Sequence, residues 1–124
     1  MKILIVEDNP GDVGLTQAAF EESNIPTTLH VVNDGDAAMS YLRDNDEPRP
    51  DLVLLDLSLP RKDGRTVLAE IKADPDLKGI PVIVLTGSQA EQDINDCFDL
   101  QAVCYMCKPL VLIVFYRLFR RLKT

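Results

Sequence analysis

Apolar runs of strand length alternate with segments of helical spacing along this chain. The strand-like runs cover residues 2–6, 28–32, 52–55, 81–85 and 102–106. The first three predicted helices end near residue 23, before the polar loop at 44–50, and at Asp74-Pro75, respectively. Two further helices are predicted to span 90–100 and 110–122. The apolar stripes of the first three helices are Val13, Leu15, Ala18, Ala19 and Phe20; Ala37, Ala38, Tyr41 and Leu42; and Val67, Leu68 and Ile71.

Five strand–helix units with short loops predict an α/β fold with a doubly wound five-stranded parallel sheet. Right-handed crossovers place helices on both faces of such a sheet. The 124 residues are expected to form one domain, 1–124, because they are too few for a second folded unit. Strand order cannot be read from the units alone. If it is 2-1-3-4-5, the order reverses between the first and third strands, where ligands bind in such folds.

Three of the apolar runs end in polar residues. The first runs into Glu7 and Asp8, the third into Asp56, and the fourth into Thr86. The carboxyl ends of parallel strands share one edge of the sheet. We therefore expect these side chains to converge on a single site.

The charges at these strand ends indicate the chemistry of the site. Carboxylates about 5 Å apart repel by roughly 3 kcal/mol per pair at an effective dielectric constant of about 20. Mg²⁺ suits such a cluster, with Asp8 and Asp56 as ligands and Glu7 acting directly or through water, because it prefers one or two carboxylates plus waters. An aspartate can also be a nucleophile toward phosphoryl groups. A hydroxyl from Thr86 and the ammonium of Lys108 could bind the phosphoryl oxygens.

Five short segments carry a resemblance to the receiver domains of bacterial response regulators. They are residues 3–8 (ILIVED), 56–60 (DLSLP), 62–64 (KDG), 84–87 (VLTG) and 105–109 (YMCKP). The similarity covers essentially the whole chain. It implies a flavodoxin-like receiver fold with strand order 2-1-3-4-5 and a role in two-component signalling as a switch, not an enzyme.

The resemblance also implies a role for each site residue. Asp56 would accept a phosphoryl group from a sensor histidine kinase. Mg²⁺ would be held by Asp8, Asp56 and the backbone carbonyl of Ser58, with Glu7 assisting through water. Thr86 and Lys108 would grip the phosphoryl oxygens.

Tyr105 occupies the position of the family's switch aromatic residue. Movement of Thr86 toward phosphate would let the Tyr105 ring turn inward and reshape the surface of helix 4, strand 5 and helix 5, which would signal to a downstream protein. The Lys108-Pro109 bond is expected to be cis. Segments 7–13 and 56–64 look most like the small stand-alone regulators that partner phytochrome-type histidine kinases.

Two other classes of function compete with this interpretation. An aspartate-nucleophile phosphatase of the haloacid-dehalogenase type needs a second acid two residues after the nucleophile, but position 58 is serine. A degenerate receiver that acts only as a binding or dimerisation module typically lacks the acceptor, the acid pair or the lysine. This chain keeps all of them. Phosphoryl uptake from acetyl phosphate would distinguish a working phospho-acceptor switch from a degenerate receiver.

Charge and composition limit the kinds of partner that the protein is expected to bind and the compartment in which it is expected to lie. The net charge of −7 argues against nucleic acid as the main partner, although residues 108–124 hold five basic residues and no acidic one. That basic end suits the dipole of a last helix or a partner-binding patch. No membrane span and no signal peptide are recognisable, so a cytoplasmic protein is expected.

The remaining candidates for chemistry are weak. Cys104 and Cys107 have redox-motif spacing, but on a strand they would point to opposite faces roughly 10 Å apart. With Cys97 they are expected to stay reduced. His30 is the only histidine and is expected at the strand surface. Gln101 stands where the family usually has glycine, so it is expected to need a left-handed conformation.

The start of the last predicted helix, residues 110–116, is apolar all round, which favours self-association. Ile113 and Tyr116, with Val114 beside them, would point away from the sheet. We therefore expect a symmetric homodimer through helix 5, against the alternative of a monomer whose helix sinks deeper into its own core. The predicted sheet-facing residues are Leu112, Phe115, Phe119 and Leu122.

Overall fold

A computed structural model describes residues 1–22, 26–57, 59, 61–86 and 104–107, with Thr86 and 104–107 described as strand backbone. Five strands form one parallel sheet in the order β2-β1-β3-β4-β5. The strands are β1 (Lys2–Val6), β2 (Thr28–Val32), β3 (Leu52–Asp56), β4 (Val82–Thr86) and β5 (Cys104–Cys107). The described helices are α1 (Pro10–Glu22), α2 (Gly35–Arg43) and α3 (Gly64–Ala73). The predicted parallel α/β fold and its strand order are confirmed.

The central strands β1 and β3 are buried on both faces, which explains their unbroken apolar sequences. Alternate side chains of β1 pack into two apolar clusters on opposite faces of the sheet. Leu4 and Val6 pack with α2 and α3, whereas Ile3 and Ile5 pack with Phe20 of α1 on the opposite face. The period-two alternation therefore builds two apolar layers with the sheet between them.

Helix α3 agrees with its predicted stripe, and α2 agrees with its own except that Ala37 is only half-buried and Met39 is buried in the core. Both begin at an aspartate cap: Asp34 Oδ1 accepts from Ala37 N at 2.7 Å, and Asp63 Oδ1 accepts from Arg65 N at 3.0 Å. Helix α3 ends just before Asp74, the residue that precedes Pro75, as predicted. The buried residues are Ala38, Met39 and Leu42 in α2 and Val67, Leu68 and Ile71 in α3, while Tyr41 is half-buried against the same core.

Helix α1 differs from its predicted stripe. Its buried face is Thr16, Ala19 and Phe20, whereas Leu15 is 56% exposed and Ala18 is also exposed. Residues 16, 19 and 20 follow the three- and four-residue spacing of one helix face; position 15 lies about 40° beyond the edge of that face, and position 18 lies almost opposite its centre. The inclusion of Leu15 and Ala18 in the buried stripe was therefore wrong.

The start of α1 is fixed by Asn9 and Pro10. Asn9 Oδ1 accepts from the backbone N–H groups of Gly11 at 2.9 Å and Asp12 at 3.2 Å. Pro10 occupies the first helical position, where a missing N–H costs nothing. This cap directs the chain away from the sheet immediately after Glu7 and Asp8.

Of the remaining predictions, some can be compared with the structure and others concern residues that it does not describe. His30 is exposed on β2, as predicted, and its ring stacks on that of Tyr41 with centroids 4.2 Å apart. Strand β5 was predicted at 102–106 and is described at Cys104–Cys107. The helices at 90–100 and 110–122, Cys97, Gln101, the Lys108-Pro109 bond and the helix 5 dimer surface lie outside the described residues. Among the helices that the structure describes, none is long and apolar enough to cross a bilayer.

Candidate metal and phosphoryl site

Three carboxylates meet at the carboxyl ends of β1 and β3. Glu7 and Asp8 follow β1, Asp56 is the last residue of β3, and the two strands are neighbours in the sheet. One carboxylate oxygen from each residue lies within 4.8 Å of the other two. Glu7 and Asp56 are only 6% and 5% exposed, whereas Asp8 is exposed. The structure therefore brings these three acids together, as the strand endings predicted.

Glu7 is oriented by the backbone that follows it. Its Oε2 accepts from Asp8 N at 3.1 Å and from Asn9 N at 3.3 Å, and its own N–H donates to Val32 O at 3.0 Å. Hydrogen bonds from backbone amides to an ionised carboxylate are charge-assisted and fix its orientation. Glu7 is thus held at the inner side of the cluster, and Asp8 lies at its solvent side.

The donor set suits a hard divalent cation. All three donors are carboxylate oxygens, which Mg²⁺ and Mn²⁺ prefer over the nitrogen and sulfur ligands typical of zinc. At 4.8 Å, each pair of ionised carboxylates repels by about 3 kcal/mol at an effective dielectric constant of about 20. A cation at the exposed side next to Asp8 would offset that repulsion and still have positions open to water or phosphate.

Gly64 packs directly on the backbone of the central acid. A Cβ at this position would collide with the carbonyl oxygen of Asp56 and lie 2.6 Å from Leu57 Cα. Gly64 N also donates to Leu57 O at 3.0 Å, which closes the loop between β3 and α3. Only glycine leaves room for α3 to begin this close to Asp56.

Sequence reasoning missed two features of this loop. Gly64 was predicted only as part of a turn, without a packing contact, and no role was predicted for Arg61. Arg61 has a φ of 65°, in the left-handed region that disfavours residues with a Cβ. A glycine at position 64 could have indicated close backbone packing from the sequence alone. The strained conformation of Arg61 could not have been predicted, because it depends on contacts distant in sequence.

The other predicted site residues are only partly placed. The backbone of Thr86 ends β4, whose Leu85 pairs with Asp56, so Thr86 lies at the same edge of the sheet as the acids. Tyr105 lies on β5, where its backbone pairs with Val84 of β4. Ser58 and Lys108 lie outside the described residues. The roles of these four residues stay predictions.

Comparisons with known proteins give a consistent family. The family model "Response regulator receiver domain" matches residues 3–115. The chain is 50% identical over 110 residues to the response regulator Rcp1 of Synechocystis sp., covering 86% of this chain and 75% of Rcp1. A crystal structure of the Mn²⁺-bound form of Rcp1 matches with a TM-score of 0.83 and 44% identity over 98% of this chain and 91% of that one.

Two further solved structures are informative. The phosphorylated cyanobacterial phytochrome response regulator RcpA matches with a TM-score of 0.83 and 49% identity, over 98% of this chain and 88% of that one. The receiver domain of the sensor histidine kinase PA1611 from Pseudomonas aeruginosa, with a magnesium ion in its active site cleft, matches with a TM-score of 0.82 and 29% identity, over 99% and 98% of the two chains. The predicted resemblance to phytochrome-partner regulators is confirmed by the first of these.

Proposed function

The chain belongs to the response regulator receiver domain family, and on that basis we propose that it is a phospho-acceptor switch that takes a phosphoryl group from a sensor histidine kinase onto Asp56. The observation that carries the proposal is the position of Asp56. Its buried carboxylate ends a central strand and lies within 4.8 Å of the oxygens of Glu7 and Asp8. An acid in that position is shielded from bulk water and lies beside the two acids proposed to hold the metal.

In the proposed transfer, an oxygen of Asp56 attacks the phosphorus of the kinase phosphohistidine. The new P–O bond forms as the P–N bond breaks, and the imidazole nitrogen leaves with the electron pair. Asp8, Asp56 and the carbonyl of Ser58 would hold Mg²⁺, with Glu7 oriented by its backbone hydrogen bonds to act through water. When bound, Mg²⁺ supplies charge that offsets the carboxylates and the phosphoryl oxygens. Thr86 and Lys108 would bind those oxygens.

The output would pass through the β4 and β5 side of the sheet. Thr86 ends β4, and Tyr105 lies on the neighbouring strand, paired with Val84 two residues before Thr86. This adjacency supports a switch in which Thr86 moves toward phosphate and Tyr105 responds. The reshaped surface of helix 4, β5 and helix 5 would contact a downstream protein and, through helix 5, a second copy of the chain.

The similarity to RcpA supports a phytochrome-type histidine kinase as the phosphoryl donor. We further propose that residues 1–124 act as one receiver domain in the cytoplasm, with protein rather than nucleic acid or membrane as partner. The acidic net charge of −7 supports the exclusion of nucleic acid.

Phosphoryl uptake from acetyl phosphate tests the acceptor assignment. The wild type with Mg²⁺ should gain one phosphoryl group, detected by intact-protein mass spectrometry, and Asp56→Asn should gain none. Omission of Mg²⁺ should suppress the reaction. A correctly folded wild type that stays unlabelled would instead support the alternative of a degenerate receiver that acts as a binding or dimerisation module. Labelling of Asp56→Asn at the wild-type level would disprove the acceptor assignment.

A further inference from the structure

The start of α2 contacts the loop between β3 and α3 through three consecutive residues. Gly35 packs against Lys62, since a Cβ at Gly35 would collide with the Lys62 carbonyl oxygen and lie 2.6 Å from Lys62 Cβ. On either side, Asp34 Oδ2 lies 3.9 Å from Arg61 Nε, and Asp36 Oδ1 lies 3.8 Å from Lys62 Nζ. The loop is therefore seated on α2 by backbone packing, with an ion pair on each side of it.

Lys62 also connects the loop to α3. Its Nζ donates to Glu70 Oε2 at 2.7 Å, which is both a hydrogen bond and an ion pair. The side chains of Lys62 and Glu70 are 24% and 31% exposed, so this pair is more shielded than an ordinary surface pair. One ammonium group thus ties the loop to two helices.

The conformation of the loop depends on these contacts. Arg61 keeps a φ of 65° although it has a Cβ, and its side chain is largely exposed. A strained backbone conformation persists only where the surrounding structure fixes it. For Arg61, the surrounding contacts are its own ion pair with Asp34 and the packing of the next residue, Lys62, on Gly35 of α2.

The same loop ends against the central acid of the site. Gly64 leaves no space between the start of α3 and the carbonyl of Asp56. Gly35 therefore packs on Lys62, two residues of chain lead from Lys62 to Gly64, and Gly64 packs on Asp56. A shift of the loop on α2 would be transmitted to Asp56 through packed backbone, which does not yield easily.

We propose that Lys62, seated on Gly35 and paired with Glu70 and Asp36, is a positioning residue that sets the divalent-cation affinity of the Glu7, Asp8 and Asp56 cluster. The inference rests on the proposed function, because it concerns the same acidic site. Groups that orient a metal's ligands without touching the metal typically change affinity by about 10- to 100-fold when removed.

Titration with Mg²⁺ alone, by calorimetry, tests the inference. Lys62→Met removes the ammonium and keeps the apolar stem, and it should weaken Mg²⁺ binding about tenfold. Lys72→Met is the matched control, because Lys72 lies on α3 but its Nζ donates to Lys78 O at 3.3 Å and not to the loop. It should leave Mg²⁺ affinity within about twofold of wild type.

Two further variants separate positioning from a general loss of stability. Lys62→Arg should largely restore Mg²⁺ affinity, and Glu70→Gln, which weakens the same pair from α3, should lower it. Ile71→Val truncates a buried side chain of α3, seven residues beyond Gly64 and apart from the Lys62 ion pairs, and it should lower the melting temperature without changing Mg²⁺ affinity.

The outcomes are distinct. If the wild type binds Mg²⁺ and Lys62→Met binds it equally well, or no more weakly than Lys72→Met, the positioning role is wrong while the proposed function stands. If Lys62→Met does not fold, unchanged Mg²⁺ affinity in Glu70→Gln overturns the inference in the same way. A wild type that binds no Mg²⁺ overturns the proposed function and this inference with it.

Discussion

Replacing Asp56 by asparagine should make the protein more stable when no divalent cation is present. The amide is nearly isosteric with the carboxylate and carries no charge. Asp56 is 5% exposed and has two acidic neighbours whose oxygens lie within 4.8 Å of its own. The substitution therefore removes two repulsive pairs while leaving the volume of the side chain unchanged.

The magnitude follows from those distances. Each pair is worth about 3 kcal/mol at an effective dielectric constant of about 20. The repulsion between Asp56 and the exposed Asp8 is weakened by water and salt. The amide is also a poorer hydrogen-bond acceptor than the carboxylate, which offsets part of the gain in stability. A net gain of about 2 kcal/mol in the free energy of unfolding remains, which for a chain of this size raises the melting temperature by roughly 5–10 °C.

Thermal unfolding followed by circular dichroism, in low salt with a chelator, measures this gain. Asp46→Asn is the matched control, because it removes one negative charge from the exposed loop before β3, at the opposite edge of the sheet from the three acids. Added salt should shrink the difference between Asp56→Asn and wild type by screening the exposed part of the repulsion. If Asp56→Asn melts at or below the wild-type temperature without Mg²⁺, or if Asp46→Asn gains as much, the argument from local repulsion is refuted.

Three further predictions concern the metal, the loop and the last helix. Millimolar Mg²⁺ should raise the melting temperature of the wild type in a concentration-dependent way and Asp8→Ala should lose this effect, whereas indifference of the wild type would exclude the metal site. Gly64→Ala should cost at least about 2 kcal/mol in a denaturant titration, because its Cβ meets the backbone of Asp56; a cost below about 0.5 kcal/mol would contradict the packing. Sedimentation should show a wild-type dimer at tens of micromolar that Ile113→Glu/Tyr116→Glu disrupts, and a monomeric wild type, with or without an acyl-phosphate mimic, would defeat the dimer proposal.

The sheet and the acidic cluster could be predicted from the sequence because both follow from short-range periodicity. Each strand is a run of apolar residues that ends where polar residues begin, and parallel strands bring those ends to one edge. Glu7, Asp8 and Asp56 needed no further information to be placed together. The stripe of α1 was less readable, because Ala18 and Leu15 are apolar yet solvent-exposed, while buried Thr16 is polar. Helix faces are defined by tertiary packing as well as by hydropathy.

The loop between β3 and α3 could not be predicted in the same way. Its shape depends on Gly35, which lies 27 positions before Lys62 and contributes by the absence of a side chain. Hydrophobic patterns do not record such contacts, since glycine is also common in turns for reasons of backbone freedom alone. The left-handed conformation of Arg61 is hidden for the same reason, because arginine has no intrinsic preference for it.

This difference has a consequence for comparing receiver domains. The acids proposed to bind a cation and accept a phosphoryl group are set by strand endings, so related chains can share all of them. The packing of Gly35 on Lys62 and the pairing of Lys62 with Glu70 are set by residues outside those segments. Two receivers with the same acidic cluster could therefore differ in cation affinity according to how the loop is held on α2. Exchange of position 62 between lysine and methionine in receivers that keep glycine at position 35 would show whether this contact tunes the site or merely accompanies it.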